Sequence, residues 1–302
     1  MAISSSSFAR ALEPGVKKWW GRSYDEWPEE CKVLFDEDTS TRAYEEDVSI
    51  SGFGLAQAKA EGAGIAYDTE KQGHLTRLTH VTYALGFIVT REMFEDDQYD
   101  VMAAQKAKSL AFSMRQTKEV NRANVYNRAF NTSYTGTGGK EMCSSAHVNI
   151  AGGSYANELA TPADISEAAL EQACIDIAKL KNDRGLRIAL QAQSLHLPVD
   201  SMFEIERILK SPLRVGTSDN DINALAAMSK FPKGVHINHY FTDTNAWFIR
   251  TNAPNGMKAY TRRAVEFGAD NDFDSENAKF KSSERYSQGW IDPRGIFGSE
   301  GA

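Results

Sequence analysis

The sequence predicts an α+β protein built around extended segments, and three observations carry that reading. Residues 91–131 run without a Gly or Pro, with Met102, Ala103, Ala107, Leu110, Ala111, Met114, Val120 and Val125 at helical spacing. Two stretches with strand-like alternation, 75–89 and 257–287, lie on either side of it. Between the helix and the second stretch, residues 161–251 mix short amphipathic helices with short apolar strands.

In chain order, the first 47 residues read as an arm. A Ser run and Pro14-Gly15 precede Trp19, Trp20 and Trp27, and an acidic stretch runs from Asp36 to Asp47. Apolar periodicity is too sparse there for an independent core, so the tryptophans need a surface on another part of the molecule or on a neighbour. A short helix is expected over 29–35, with Pro28 suited to its first turn.

Residues 48–90 change character. Gly52, Gly54, Gly62, Gly64 and Gly73 punctuate a small, polar stretch, which Leu75-Thr-Arg-Leu-Thr-His-Val-Thr-Tyr83 follows with period two. This predicts a long hairpin with a Gly-rich outer part, or else an unstructured surface loop. Alone in water a two-stranded ribbon is marginal, and lying on another subunit would stabilise it.

The helix over 91–131 has Asp96, Asp97 and Asp100 in its first turns and Arg122 and Arg128 near its end, the polarity that the helix dipole favours. About thirty residues of helix reach ~45 Å, longer than a small domain, so another element must lie alongside. Gly136, Gly138 and Gly139 close it. Further on, Ser166 is a candidate cap for an amphipathic helix over 167–182 that buries Leu170, Ala173, Cys174, Ile177 and Leu180. A buried strand is expected over 188–193, helices over 199–209 and 220–228, and strands over 235–240 and 246–251. The runs 257–267 and 278–287 should pair as a second long hairpin around an acidic loop.

Composition excludes several classes. The 302 residues, 41% hydrophobic, suffice for one large domain or two to three subdomains. A net charge of −7 argues against phosphate gripping as the main task. Cys31, Cys143 and Cys174 are odd in number and far apart, so neither a disulfide framework nor a zinc site is suggested, and a reducing cytoplasm fits. No stretch approaches the ~20 apolar residues of a membrane span, and Met1 to Ala11 lacks the pattern of a signal peptide.

Chemical motifs fail in detail. Gly136-Thr-Gly-Gly-Lys140 has Tyr134 where a phosphate loop requires Gly and Glu141 where it requires Ser or Thr. Asp270, Asp272 and Asp274 open like a calcium loop, but Ser275 and Lys281 occupy its Gly and Glu positions. His236 and His239, three apart on a strand, would point to opposite faces. Cys143 beside His147 matches no nucleophile signature. No catalytic, cofactor or metal residue is assigned.

The C-terminal half carries a resemblance. Ala246-Trp-Phe-Ile-Arg-Thr251, Gly256-Met-Lys-Ala-Tyr-Thr-Arg-Arg263, Asp270-Asn-Asp-Phe-Asp274 and Glu284-Arg-Tyr-Ser-Gln-Gly-Trp-Ile-Asp-Pro-Arg-Gly-Ile-Phe-Gly-Ser299 resemble the major head subunit of Mu-like tailed phages, within the HK97-fold major capsid proteins. The resemblance implies an N-terminal arm (1–47), an E-loop with its strands (48–90), a peripheral-domain spine helix and following loop (91–160), an axial domain (161–251), and a return to the peripheral sheet and tail (252–302). It implies a structural protein, not an enzyme, whose copies form hexamers and pentamers of an icosahedral shell around double-stranded DNA. A separate scaffolding protein, or a processed mature form, is implied because no helical scaffolding segment opens the chain. A portal and a decoration protein are further implied partners, with assembly in the bacterial host cytoplasm, residence in the virion and no membrane.

Under that resemblance the inter-subunit candidates are Trp19, Trp20 and Trp27 of the arm, and Gly52, Gly54, Lys59, Gly62, Gly64 and Lys71 of the E-loop. Arg263, Arg285, Asp292 and Arg294 join them as charge partners within or between subunits, with Arg262 beside them. Lys59 and Lys71 lie where some relatives cross-link to a neighbour's asparagine, but no matching partner is marked and no cross-link is expected. The competing readings are an encapsulin-like shell with protein cargo and a soluble α/β hydrolase-type enzyme using Cys143 or His236.

Overall fold

The computed structural model describes residues 17–90, 92, 99–213, 222–271 and 277–302. The Ser run, Pro14-Gly15, Asp96, Asp97, the start of the helix expected at 220, and Asp272 and Asp274 lie outside the described residues.

A helix over 17–26 (α1) opens the described chain. A 3-10 turn, Glu30–Val33, leads to β1 (Asp36–Thr39) and β2 (Tyr44–Ile50). After the stretch 51–71 come β3 (Gln72–Thr79) and β4 (Val81–Val89), then the long helix α2 (Tyr99–Asn127). A small hairpin of β5 (His147–Val148) and β6 (Ser154–Tyr155) precedes α3 (Glu167–Lys179), β7 (Ala192–Pro198), α4 (Met202–Lys210), α5 (Ala224–Met228), β8 (Val235–Asn238) and β9 (Trp247–Thr251). The chain ends with β10 (Met257–Asn271), β11 (Ala278–Trp290) and β12 (Ile296–Ser299).

The second alternating stretch forms the expected hairpin. β10 and β11 pair antiparallel from Met257↔Trp290 to Asn271↔Ala278, and β4 adds to the far side of β11. β1 joins parallel to β10, giving the order β1-β10-β11-β4. The acidic run read as arm thus supplies a strand to this long sheet and another, β2, to the β2-β3 pair. α2 lies along the long sheet. Its Ala103, Ala107, Leu110, Ala111 and Met114 are buried with Val89, Phe267 and Phe280, and the alanines let the helix axis approach closely.

The seam along α2 then departs from its apolar pattern. Val120, expected on the buried stripe, is exposed, whereas Arg115, Glu119 and Arg122 are buried. The reason is the chain segment lying under them. Arg115 and Lys118 reach Glu29 Oε1 at 3.1 and 3.2 Å, Arg122 Nη1 reaches Glu37 Oε1 at 2.5 Å, and Glu119 Oε2 accepts the Cys31 N–H at 2.8 Å. Paired charges take the face that periodicity alone gives to valine. Beyond them, Tyr126 donates to Leu34 O at 2.6 Å inside a core of Leu34, Phe35, Met142, Phe248 and Ile296.

The second unit packs α3, α4 and α5 on a sheet of order β12-β9-β7-β8. Ser166 caps α3 as expected, its Oγ accepting from Ala169 N at 3.2 Å. Leu170, Ala173 and Ile177 are fully buried, and Cys174 packs on the edge of the same core. Several expected boundaries shift, the helices over 199–209 and 220–228 to Met202–Lys210 and Ala224–Met228 and the strand over 235–240 to Val235–Asn238 among them. The strand placed at 188–193 runs instead from Ala192 to Pro198, because Ala189 adopts φ +50° and breaks extended structure at its start. The helix expected over 29–35 is only a 3-10 turn, since the chain must straighten at Asp36 to pair with β10.

Candidate assembly surfaces

Residues 51–71, called the ribbon below, carry no strand: the pairing expected of a long hairpin stops at Ile50↔Gln72, and the Gly-punctuated stretch beyond it is an irregular, largely exposed loop. Gly52 and Gly62 hold φ values of +66° and +76°, which glycine alone adopts at no steric cost. Gly64, Lys59 and Lys71 are exposed. So are Phe53, Leu55, Ile65 and Tyr67, with Leu55 79% and Tyr67 93% accessible. Apolar side chains so placed make no core.

The root of the ribbon is fixed. Ser51 N–H donates to Lys71 O and Lys71 N–H to Ser51 Oγ, both at 3.0 Å. Gly54 N–H and Arg184 hold Asp68 at 2.8 and 2.5 Å, and these bonds keep its carboxyl down at about 2. Lower down, the hydroxyls of Thr76 and Thr137 lie 2.7 Å apart. A Cβ at Gly73 would fall 2.2 Å from Ile150 Cδ1, so the ribbon seats closely on the loop between β5 and β6. Beside that seat a polar cavity of about 420 Å³ is lined by Asp47, His74, His147, Asp183, Asp292 and Arg294, among others.

β3 passes into β4 at His80, which is buried between two hydroxyls, Ser40 Oγ at 3.0 Å and Ser287 Oγ at 2.9 Å. Burial, then the charge of Arg285, pushes its pKa down. β4 is the last strand of the long sheet, and Val81, Leu85 and Ile88 on it are exposed. Lys106 Nζ covers Ile88 O at 3.3 Å, at one end of that edge.

The arm tryptophans divide. Trp20 is buried in its own chain, 5.2 Å from Tyr24 and 5.6 Å from Phe267, with Trp19 packed beside it. Trp27 stands edge-on to Phe112 of α2 and stays 46% exposed. These two form a surface patch.

The charged candidates of the tail also divide. Arg294 is buried, bonding Lys181 O, Asn149 Oδ1, Asp183 Oδ1 and Asp292 Oδ1 and lying 4.2 Å over the Tyr155 ring. Desolvation raises the Asp292 pKa despite Arg294 beside it. Gly295 allows this turn, because a Cβ there would stand 2.4 Å from Gly256 Cα. The Asp-Pro-Arg-Gly motif is therefore an internal clasp. By contrast Arg263 is exposed on the sheet, 3.0 Å from Ser283 Oγ and 3.7 Å from Glu266. It faces Arg285 across the ladder, and Arg262 donates to Arg42 O.

The residues tested for chemistry are engaged otherwise. Burial holds the Cys143 thiol well above its ordinary pKa, and His147 Nε2 donates to Asn157 Oδ1 at 3.0 Å. His236 stacks on the buried His196 at 5.2 Å, while His239 lies past the end of β8 and bonds Glu30. Gly136 approaches the Trp290 ring in a turn with no phosphate-loop form. Asn157, which the sequence reading missed, is fully buried and bonds Ser144 N, Met142 O, Pro293 O and Ile296 O. A single Asn in a Gly-Ser-rich loop carries no local pattern that could have marked it.

A long strand hairpin backed by a rod-like helix, a second helix-and-sheet unit, and an unpaired ribbon rooted between them define an HK97-like capsid subunit. The same fold occurs in the virus-like particle from Pyrococcus furiosus, with TM-score 0.53 and 14% identity over 95% of this chain and 98% of that one. It occurs in the capsid of the native GTA particle (TM-score 0.54, 11% identity, 89% and 88% covered) and in the procapsid of bacteriophage JBD30 (0.54, 12%, 98% and 76%). No curated protein matches the chain. The sequence profile of the family described as phage capsid protein matches residues 75–298. The chain belongs to that family and is a phage major capsid protein, the subunit of a virion shell.

Proposed function

We propose that copies of this chain form the hexamers and pentamers of an icosahedral head of the Mu-like kind, closed around double-stranded DNA and free of catalytic activity. The observation that carries this is the ribbon: a stretch rooted firmly in the subunit that exposes Phe53, Leu55, Ile65 and Tyr67. At ~25 cal/mol per Å² of apolar surface, covering it at several contacts per subunit makes closure cooperative. A net charge of −7 suits a container that must hold DNA without gripping it.

Assembly takes place in the bacterial cytoplasm, with a separate scaffolding protein and a portal as partners and a decoration protein outside. Trp27 with Phe112 and the exposed Arg263 are the remaining inter-subunit candidates, while Trp20 and Arg294 act within the subunit. Electron microscopy of the purified protein should show uniform shells or capsomers. A persistent monomer would sink the reading, and shells from infected cells that hold protein cargo without DNA would overturn its DNA part.

A further inference from the structure

We propose that Arg184 is a positioning residue for assembly: from a turn of the second unit it clamps the base of the ribbon and sets the direction in which the ribbon leaves the subunit. This rests on the shell-forming reading above, and it names the contact that prepares a free subunit for its neighbours.

The ribbon needs such a hold. Its root is fixed by the long sheet, because β3 runs on from β4 in nearly the same line, with Leu78 against Gly289 and His80 against Ser287. Above the root the support thins out. Among the described residues, the last bond across the two limbs runs from Gly54 N–H to Asp68 Oδ2, and the next lies out at the tip, Ala63 N–H to Ala60 O at 3.1 Å. Residues 55–67, with the exposed Leu55, Ile65 and Tyr67, therefore hang from the point where Asp68 is held.

Asp68 is where the second unit reaches across. Arg184 Nη2 bonds Asp68 Oδ1 at 2.5 Å and Thr69 O at 3.1 Å, a side-chain and a main-chain hold from one guanidinium. The carboxylate is already oriented for it, since Oδ1 accepts from Thr69 N–H and Oδ2 from Gly54 N–H, both at 2.8 Å. Among the described residues, no other side chain of the second unit bonds the ribbon.

The turn that carries Arg184 is itself braced. Asn182 Oδ1 accepts from Arg184 N–H at 3.0 Å and from Leu186 N–H at 2.8 Å, and Gly185 takes φ +81°. Arg294 holds Asp183 Oδ1 and Lys181 O, both at 2.9 Å. Neighbouring residues thus divide the work: Asn182 shapes the turn, Asp183 ties it to the clasp, and Arg184 reaches the ribbon.

The Asp68 side chain stays 46% exposed, and an ion pair so placed adds little to folding stability. What it changes is freedom. A ribbon held in one direction has less motion to lose when a neighbour covers it, which favours association without any new contact.

The test places nitroxides at Lys59→Cys on the ribbon and Lys179→Cys on α3, in a Cys174→Ala background. Pulsed electron resonance then reads the distance distribution in subunits kept below the assembly concentration. The distribution should be narrow with Arg184 in place, and Arg184→Ala and Asp68→Asn should each broaden it several-fold. Asp68→Asn keeps an acceptor for Gly54 N–H and removes only the charge, so it decides the outcome if Arg184→Ala folds poorly. Without labels, both substitutions should raise the concentration at which particles form several-fold and leave the unfolding midpoint almost unchanged. An unbroadened distribution in Asp68→Asn overturns the proposal, and so does broadening with no change in that concentration. A large fall in the unfolding midpoint of Asp68→Asn makes the pair a structural tie and overturns it too. If wild-type protein forms no particles, the shell reading itself fails, and this proposal with it.

Discussion

Arg294 reaches four acceptors on three chain segments, a fan of bonds that a planar guanidinium makes and an ammonium does not. Arg294→Ala is expected to cost about 3–5 kcal/mol in denaturant unfolding, since it strands Asp183 and Asp292 beside a hole. Arg294→Lys should recover only part of that. A second residue-scale effect concerns pH. Burial depresses the pKa values of His80, His147 and His196, most of all His196, which also faces His236 and Arg250. Each is neutral when folded, whereas the unfolded chain takes up protons below about pH 6.5. Stability should therefore fall as pH drops from about 7 to about 5, and His196→Gln should flatten that slope in a set of unfolding midpoints. A steeper slope in the variant would contradict the assignment. The roles of the three histidines were not legible in the sequence, because a buried, bonded histidine has the same letter as an exposed one, and Arg294 was marked only as a charge partner within or between subunits.

Among the elements, α2 is the one whose rigidity matters most. Ala111→Pro removes a backbone bond and forces the helix away from Phe267 and Phe280, at about 3 kcal/mol or more. Thermal unfolding should register it, and particles should be lost. Normal assembly would mean that the helix need not be continuous. The apolar half of α2, the capped α3 and the β10-β11 hairpin were legible because one face of each follows a regular period. The polar half of α2 was not. Arg115, Glu119 and Arg122 look like surface residues until the segment 29–37, remote in sequence, is laid against them. β1 was missed for a related reason: Asp36-Glu-Asp-Thr39 has the composition of a loop and becomes a strand only because β10 presents an edge beside it.

At the scale of the whole molecule, deleting residues 52–73 should leave a soluble, folded subunit, because the ribbon contributes little to any of the three cores. Circular dichroism and microscopy together check this: native-like spectra without shells are expected, and normal particles from the deletion would remove the ribbon from the account of assembly. The order of the long helix, the mixed helix-and-strand region and the closing hairpin along the chain was legible, from helix length and strand alternation. Which arm side chains fold back into the subunit and which stay exposed was not, since Trp20 and Trp27 lie seven positions apart, one buried and one half-exposed. The near-straight run from β3 through His80 into β4 has a mechanical consequence. A tug on the tip of the ribbon is delivered along the strand axis, so the rungs between β4 and β11 resist it in shear and share the load, rather than peeling one after another.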